Sequence, residues 1–336
     1  MTQPTAGRFT VDPWDPGYGQ AVGDELDGGA LAASTAELGL DLELAADRWR
    51  PVDPDLAPQP PDTVLFLDGV RRIDARVWVH GHGTGNYPRG SQPAPGIAAS
   101  LAAGLVSCDG TAAGSGTARV AEVSVERGLF TAAPDAADIA ARHHARYPVR
   151  RAEGPGPDQL SLALQQRLGA AEVQLALAFR ARHPDAADLL VVDGPLRGRT
   201  HLDRTVGYIK THHASYLPPE QSAVVGALGP GQRTPVFTIG TSWRRHSWYL
   251  RLPGTQGVPW SGVVRLECSP ELPPAAAIAL ADLTARLLPP LASAPHKDPR
   301  APQNLVPIGG LERELRRRLG DQQLLYRALR AAACAG

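Results

Sequence analysis

Two continuous apolar runs constrain this chain more than any other feature: VLFLDGVRR over residues 64–72 and LLVVDGPLRGR over 189–199. A strand with one wet face alternates polar and apolar residues, whereas an unbroken run of Val, Leu and Phe fits a strand covered on both faces. Both runs therefore belong in the middle of a sheet with other layers packed on it. Each ends in a carboxylate followed by glycine, so Asp68 and Asp193 are expected where a central strand leaves its sheet. The glycine allows backbone or ligand to approach closely, and two carboxylates from distant sequence can converge on one divalent cation. Asp-Gly is also a common turn pair, so a turn or cap role stands beside the functional one for each aspartate.

At 336 residues the chain suits one elaborated domain or two, at roughly 100–200 residues per domain, and one main domain with additions is the preferred reading. No apolar run approaches the ~18 residues that span a bilayer, and the N-terminus MTQPTAGRFTVDPWDPG lacks a basic segment followed by an apolar one. A soluble, cytoplasmic protein with no membrane contact is expected. Cys108, Cys268 and Cys334 are far apart and form no CxxC pair, which argues against a zinc knuckle or a disulfide framework. The overall charge is zero, but residues 1–60 hold eleven carboxylates against three arginines, a net of −8, leaving +8 for residues 61–336. Lys210 and Lys297 are the only lysines. Arginine suits bidentate phosphate contact, although an Ala-, Gly- and Pro-rich, GC-type composition produces the same bias.

Residues 1–27 and 51–62 are rich in Pro, Gly and Asp, with a short helical piece expected between them around Gly29–Trp49; together they read as a loosely structured arm on the body. Strands are expected at about 64–67, 74–80, 97–107 and 117–127, separated by the open loops HGHGTGNYPRG and DGTAAGSGT, as an antiparallel meander. After GPGPD comes the clearest helix, about 158–182, whose Leu160, Leu164, Leu168, Ala171, Leu175 and Phe179 form one stripe. Glu172 falls at the edge of that stripe. A carboxylate facing a sheet is unfavourable unless paired or bound to metal, which makes Glu172 a candidate third ligand. Further on, TVGYIKTHH carries Lys210, PPEQSAVVGAL reads as a proline-opened helix, and PVFTIG, HSWYLRLP and GVVRLEC read as strands. An apolar helix at 273–291, GGLERELRRRLG and a last helix to about Ala333 close the chain.

Asp68, Glu172 and Asp193 together suit Mg²⁺ or Mn²⁺, which prefer oxygen ligands, and such a site supports phosphodiester hydrolysis. The order of segments resembles the NurA family of DNA nucleases. The matching stretches are FLDG (66–69), the helix glutamate some twenty residues before VVDGPL (191–196), VGYIKTH (206–212), WYLRL (248–252) and VVRLE (263–267), across about residues 62–310. The resemblance implies an α/β fold with an RNase H-like mixed sheet flanked by helices, an extended N-terminal arm and C-terminal helices. Its implied division is an arm at 1–60, a nuclease domain at 61–310 and a helical extension at 311–336. It further implies Asp68, Glu172 and Asp193 as metal ligands with Tyr249 beside the site. The implied activity is manganese-dependent cutting of single-stranded DNA and exonuclease action on duplex ends, by a homodimer partnered with a hexameric HerA-type ATPase. The family commonly places a histidine near the end of this core. Here APQNLVPIGGLE (301–312) has none, and His296 or Asn304 stand as replacements.

Several residues carry two readings. Lys210 steadies a phosphate or is a solvated strand-edge residue. Tyr249 hydrogen-bonds a phosphate or packs in the core. Glu267 serves the site or pairs with Arg265. His80, His82, His212 and His213 are weaker ligand or substrate candidates. Arg313, Arg316, Arg317 and Arg318 form either a phosphate contact or a solvated, salt-bridged helix face, and Trp243 and Trp248 beside Arg244 and Arg245 hold bases or pack inside. A metal-dependent nuclease leads, with Lys210 offsetting phosphate charge. A non-catalytic dimeric adaptor docked on a motor ATPase is the alternative, and a glycoside hydrolase ranks last with only 5% aromatic residues for sugar platforms.

Overall fold

The structure, a computed structural model, describes residues 9–11, 32–80, 93–109, 117–142, 145–184, 186–212, 214–253, 262–294, 296–298 and 300–335. His82, His213 and nearly all of the two glycine-rich loops lie outside these residues. The frame is a mixed sheet of eleven strands. Ten of them, in chain order, are β1 (Glu37–Gly39), β2 (Thr63–Val79), β3 (Ala94–Asp109), β4 (Thr117–Thr131), β5 (Val149–Arg151), β6 (Asp188–Asp193), β7 (Thr205–Ile209), β8 (Phe237–Gly240), β9 (Arg244–Arg251) and β10 (Val263–Cys268). They lie side by side in the order β1-β8-β9-β10-β7-β6-β2-β3-β4-β5, and a short strand, Phe9–Val11, adds antiparallel to the far end of β2. The helices are α1 (Pro157–Arg182), α2 (Pro219–Ala227), α3 (Pro274–Leu287), α4 (Val306–Arg318) and α5 (Gln322–Ala335). None of them is long and apolar enough to cross a membrane.

The two apolar runs lie next to each other as the parallel pair β2 and β6, with Leu67 opposite Val192. Their alternate residues feed different layers. Leu65, Leu67, Leu190 and Val192 pack against Leu175 and Phe179 of α1. Val64, Phe66, Leu189 and Val191 join the cluster that holds Ala277 and Ala281 of α3 and Leu311 and Leu315 of α4. Coverage on both faces is why these segments carry no polar alternation. Gly104 on β3 lets α4 seat closely: a Cβ there would come within 2.7 Å of Leu311 and 2.8 Å of Leu315.

The meander of β2, β3 and β4 is antiparallel as expected. Segments 64–67 and 74–80, however, are one 17-residue strand, and Asp68-Gly69 passes through its middle opposite Gly104 and Ala103. β3 hydrogen-bonds β2 along its whole length, so nothing releases the chain at Asp68. What ends there is the parallel neighbour: β6 stops at Asp193, one rung past the Val192 and Leu67 pair. The expected helical piece in the arm is also corrected, since residues 32–60 hold only short strands and a single 3-10 turn, Ala46–Arg48. The sheet recruits this segment instead. β1 pairs with β8, and Glu43 binds the guanidinium of Arg233 at 2.8 and 2.9 Å. Arg233 is 1% exposed and also meets Asp282 of α3 at 2.7 Å.

Removing the cation from this buried trio strands two carboxylates. Arg233→Ala should lower unfolding stability by about 3–5 kcal/mol in a urea titration.

Candidate metal centre and its cleft

Because β2 and β6 run parallel in register, their side chains at one level point the same way. Asp68 and Asp193 thus face the α4 side of the sheet from adjacent strands. α4 brings the third acid, Glu312, which lies one residue from Leu311 and four from Ile308 and so borders the buried stripe. One oxygen from each of Asp68, Asp193 and Glu312 lies within 4.8 Å of the others. The three lie on the wall of a cleft of about 670 Å³, which also carries Arg197, Lys210, Trp243, Arg245, Arg265 and Arg300.

Burial and neighbouring charge act differently on the three acids. Burial, then the neighbouring Asp193, pushes the Asp68 carboxyl well above the usual carboxylate range. Burial also raises Asp193, against the opposing pull of Lys210. For Glu312 burial acts upward, but the hydrogen bonds of Arg300 and the charge of Lys210 outweigh it and hold the group low. Lys210 Nζ donates to Asp193 Oδ2 at 2.7 Å and to Asn304 Oδ1 at 3.0 Å, and sits 3.7 Å from Glu312. Asp68 Oδ1 accepts the Gly69 N–H at 2.7 Å, while Oδ2 is buried with no hydrogen-bond partner. A buried, unpartnered carboxylate oxygen among three converging acids is a fit for a hard divalent cation.

The Gly194 turn clears the way to the cleft. Its φ of +101° favours glycine, and a Cβ there would meet nothing within 4 Å. The turn is held from behind by Glu267, fully buried, which accepts the Leu196 N–H at 2.7 Å and pairs with Arg265 at 2.8 Å and Arg245 at 3.3 Å. Glu267 therefore pairs with Arg265 and also borders the cleft.

Glu172 does not join the three. α1 covers the opposite face of the sheet, where Glu172 packs behind Gly69 and forms an ion pair with Arg199. Burial raises its carboxyl and Arg199 counteracts. Residue parity decides the outcome: Asp68 points to the α4 face, Gly69 to the α1 face. Tyr249 is 1% exposed and stacks on Phe237 with centroids 6.0 Å apart, and burial raises its hydroxyl to about 12. It lies behind the cleft wall formed by Tyr216, Arg245 and Arg265. Lys210 is just past β7, half-buried and ion-paired, not a solvated edge residue. Two residues of 301–312 reach the centre, Glu312 and the fully buried Asn304, whereas His296 is exposed. His212 lines the cleft with its ring nitrogen 3.0 Å from the Val263 carbonyl. Trp248 packs inside, while Trp243 faces the cleft with Arg245 4.5 Å above its ring. Arg317 and Arg318 pair with Glu314. Glu312 and Arg300 were not singled out from sequence. The available signal for Glu312 was its place beside the Ile308, Leu311 and Leu315 stripe, obscured by the arginines around it.

Residues 146–308 match the family model of the NurA domain. No curated protein matches the chain significantly. Asp193, Lys210 and Glu172 fall inside the matched segment, Asp68 before it and Glu312 after it.

Both aspartates have folded pKa values above their ordinary ones, so the stability they contribute is present at low pH and lost as pH rises through the raised values. A cation requires the ionised forms and offsets that loss. The melting-temperature gain from Mn²⁺ should therefore be larger at pH 7.5 than at pH 5 in scanning calorimetry. Glu312→Gln should shrink the gain more than Glu172→Gln.

Proposed function

We propose that this chain, a member of the NurA family, is a divalent-metal-dependent deoxyribonuclease. The observation that carries the reading is the convergence of Asp68, Asp193 and Glu312, with an unpartnered Asp68 oxygen, in a cleft rimmed by arginines. The acids would hold Mn²⁺ or Mg²⁺, which supplies positive charge to the phosphate oxygens and makes a nearby water more acidic.

The remaining work belongs to the chain's own side chains. Water oxygen attacks phosphorus as the P–O ester bond breaks; the attacking water gives up one proton to solvent and the departing alkoxide takes one from it. Lys210 holds its ammonium at the centre, where negative charge grows on the phosphate. Asn304 and Asp193 fix that ammonium in place. Arg300 steadies Glu312 in its ionised form, and exposed Arg197 at the cleft supplies a guanidinium for a flanking phosphate. Glu172 and Tyr249, implied by the family resemblance, act from one layer away, Glu172 by anchoring Arg199 beneath the Gly194 turn and Tyr249 by backing the arginine wall. The working unit extends past residue 310, because Glu312 is on α4 and α4 packs on the central sheet.

The substrate is DNA, cut as a single strand or digested from duplex ends in the 5′ to 3′ direction, by a homodimer working with a HerA-type hexameric ATPase in end processing or defence. These finer assignments rest on the family resemblance. A second reading, a metal-free adaptor for such a motor, has one observation behind it: Lys210 and Arg300 already neutralise part of the acidic cluster. Calorimetric Mn²⁺ titration separates the two, because an adaptor takes up no cation through these carboxylates.

Asp68→Asn and Asp193→Asn should each reduce Mn²⁺-dependent cutting of labelled single-stranded DNA by at least about a hundredfold, the scale of losing one electrostatic group in an active site. Unchanged cutting removes the residue from the mechanism.

A further inference from the structure

The carboxylate centre is not the blind end of its cleft. A second cleft of about 580 Å³ opens beyond it, sharing Gly69 and Glu312 with the first and walled by Arg71, Arg72, Arg316 and Leu319. Its origin is in the strand lengths. β6 stops at Asp193, but β2 continues to Val79, and Phe9–Val11 rejoins that side only at Val77. Among the described residues no strand pairs with β2 between those points, so residues 69–72 border an open notch with α4 across from them.

The notch is basic, with three guanidiniums against the one shared carboxylate. Arg72 is preset: Nε donates to Asp74 Oδ1 at 2.9 Å and Nη1 to the Gly320 carbonyl at 2.8 Å, which ties the end of α4 to β2. Nη2 reaches the Leu319 carbonyl at 3.4 Å, leaving two of its five N–H donors for a ligand. Arg71 and Arg316 are exposed and make no hydrogen bond or ion pair among the described residues. Arginine on both walls of a groove, with donors to spare, matches the paired oxygens of phosphodiesters.

Resting on the nuclease reading above, we propose that the second cleft carries the phosphodiester backbone of the strand whose scissile phosphate lies at Asp68, Asp193 and Glu312. The substrate then runs through the centre instead of ending at it. Arg71 and Arg316 grip phosphates on the far side of the cut, and Arg72 positions the α4 wall while contacting the same backbone.

The test uses EDTA-treated full-length protein and fluorescein-labelled dT12 and dT3, with anisotropy measured across a salt series. Arg71→Gln/Arg316→Gln changes only exposed side chains. It should bind dT12 about tenfold more weakly at 0.1 M salt. Its slope of log affinity against log salt should be shallower by about 1.4, two single-strand phosphate contacts at about 0.7 each. Loss on dT3, too short to fill both clefts, should be no more than roughly threefold. An unchanged slope, equal losses on both lengths, or no binding of dT12 by the parent protein overturns the proposal. Mn²⁺-dependent cleavage, assayed separately, keeps the two ideas apart. Cleavage with an unchanged slope sinks the second cleft alone, whereas a shallower slope in a protein that never cuts sinks the nuclease reading alone.

Discussion

Everything at the centre follows from the parallel pairing of β2 and β6. That register places Val192 beside Leu67 and therefore Asp193 one rung on, beside Asp68. A slip of one residue would turn one of the two carboxylates to the α1 face and dissolve the site. The register is held by apolar side chains alternating into two different cores, so a slip would also turn Leu189, Leu190, Val191 and Val192 away from the cores they fill. Site and core depend on the same pairing.

The charge arrangement is a balance between burial and neutralisation. Burial, then the neighbouring Asp193, raises the proton affinity of Asp68, whose second oxygen has no partner, while Arg300 and Lys210 hold Glu312 low. Lys210 and Arg300 offset part of the repulsion, Lys210 against Asp193 and Glu312 and Arg300 against Glu312. What remains uncompensated is directed at the interior of the cluster, where a divalent ion fits. The second cleft carries the opposite sign, with Arg71, Arg72 and Arg316 against the one shared carboxylate, Glu312. Such an arrangement favours a polyanion whose charge is met by a cation at the carboxylates.

Much of the framework was legible from local pattern. The stripe from Leu160 to Phe179 specified α1 nearly to the residue, because each of those side chains is buried on the same face. The three strands Phe237–Gly240, Arg244–Arg251 and Val263–Cys268 also followed from β-branched and aromatic runs between turn residues. The segment 32–49 of the arm was not legible, since its structure comes from pairing to a sheet edge and from Arg233, far along the chain. Nor was the continuation of β2 past Asp68-Gly69, which depends on β3 hydrogen-bonding the whole strand and overriding a turn-prone dipeptide.

Taken alone, the amino-acid order determined that Asp68 and Asp193 terminate apolar runs, that those runs are buried on both faces, and that Glu172 borders a buried stripe. These are properties of residue type and spacing within one element, and periodicity encodes them directly. The tertiary structure alone decided which third acid meets the pair. Glu172 and Glu312 are both helix glutamates on the border of an apolar stripe, equivalent by local pattern. They differ only in which face of the sheet their helix covers, a choice made by packing between elements far apart along the chain.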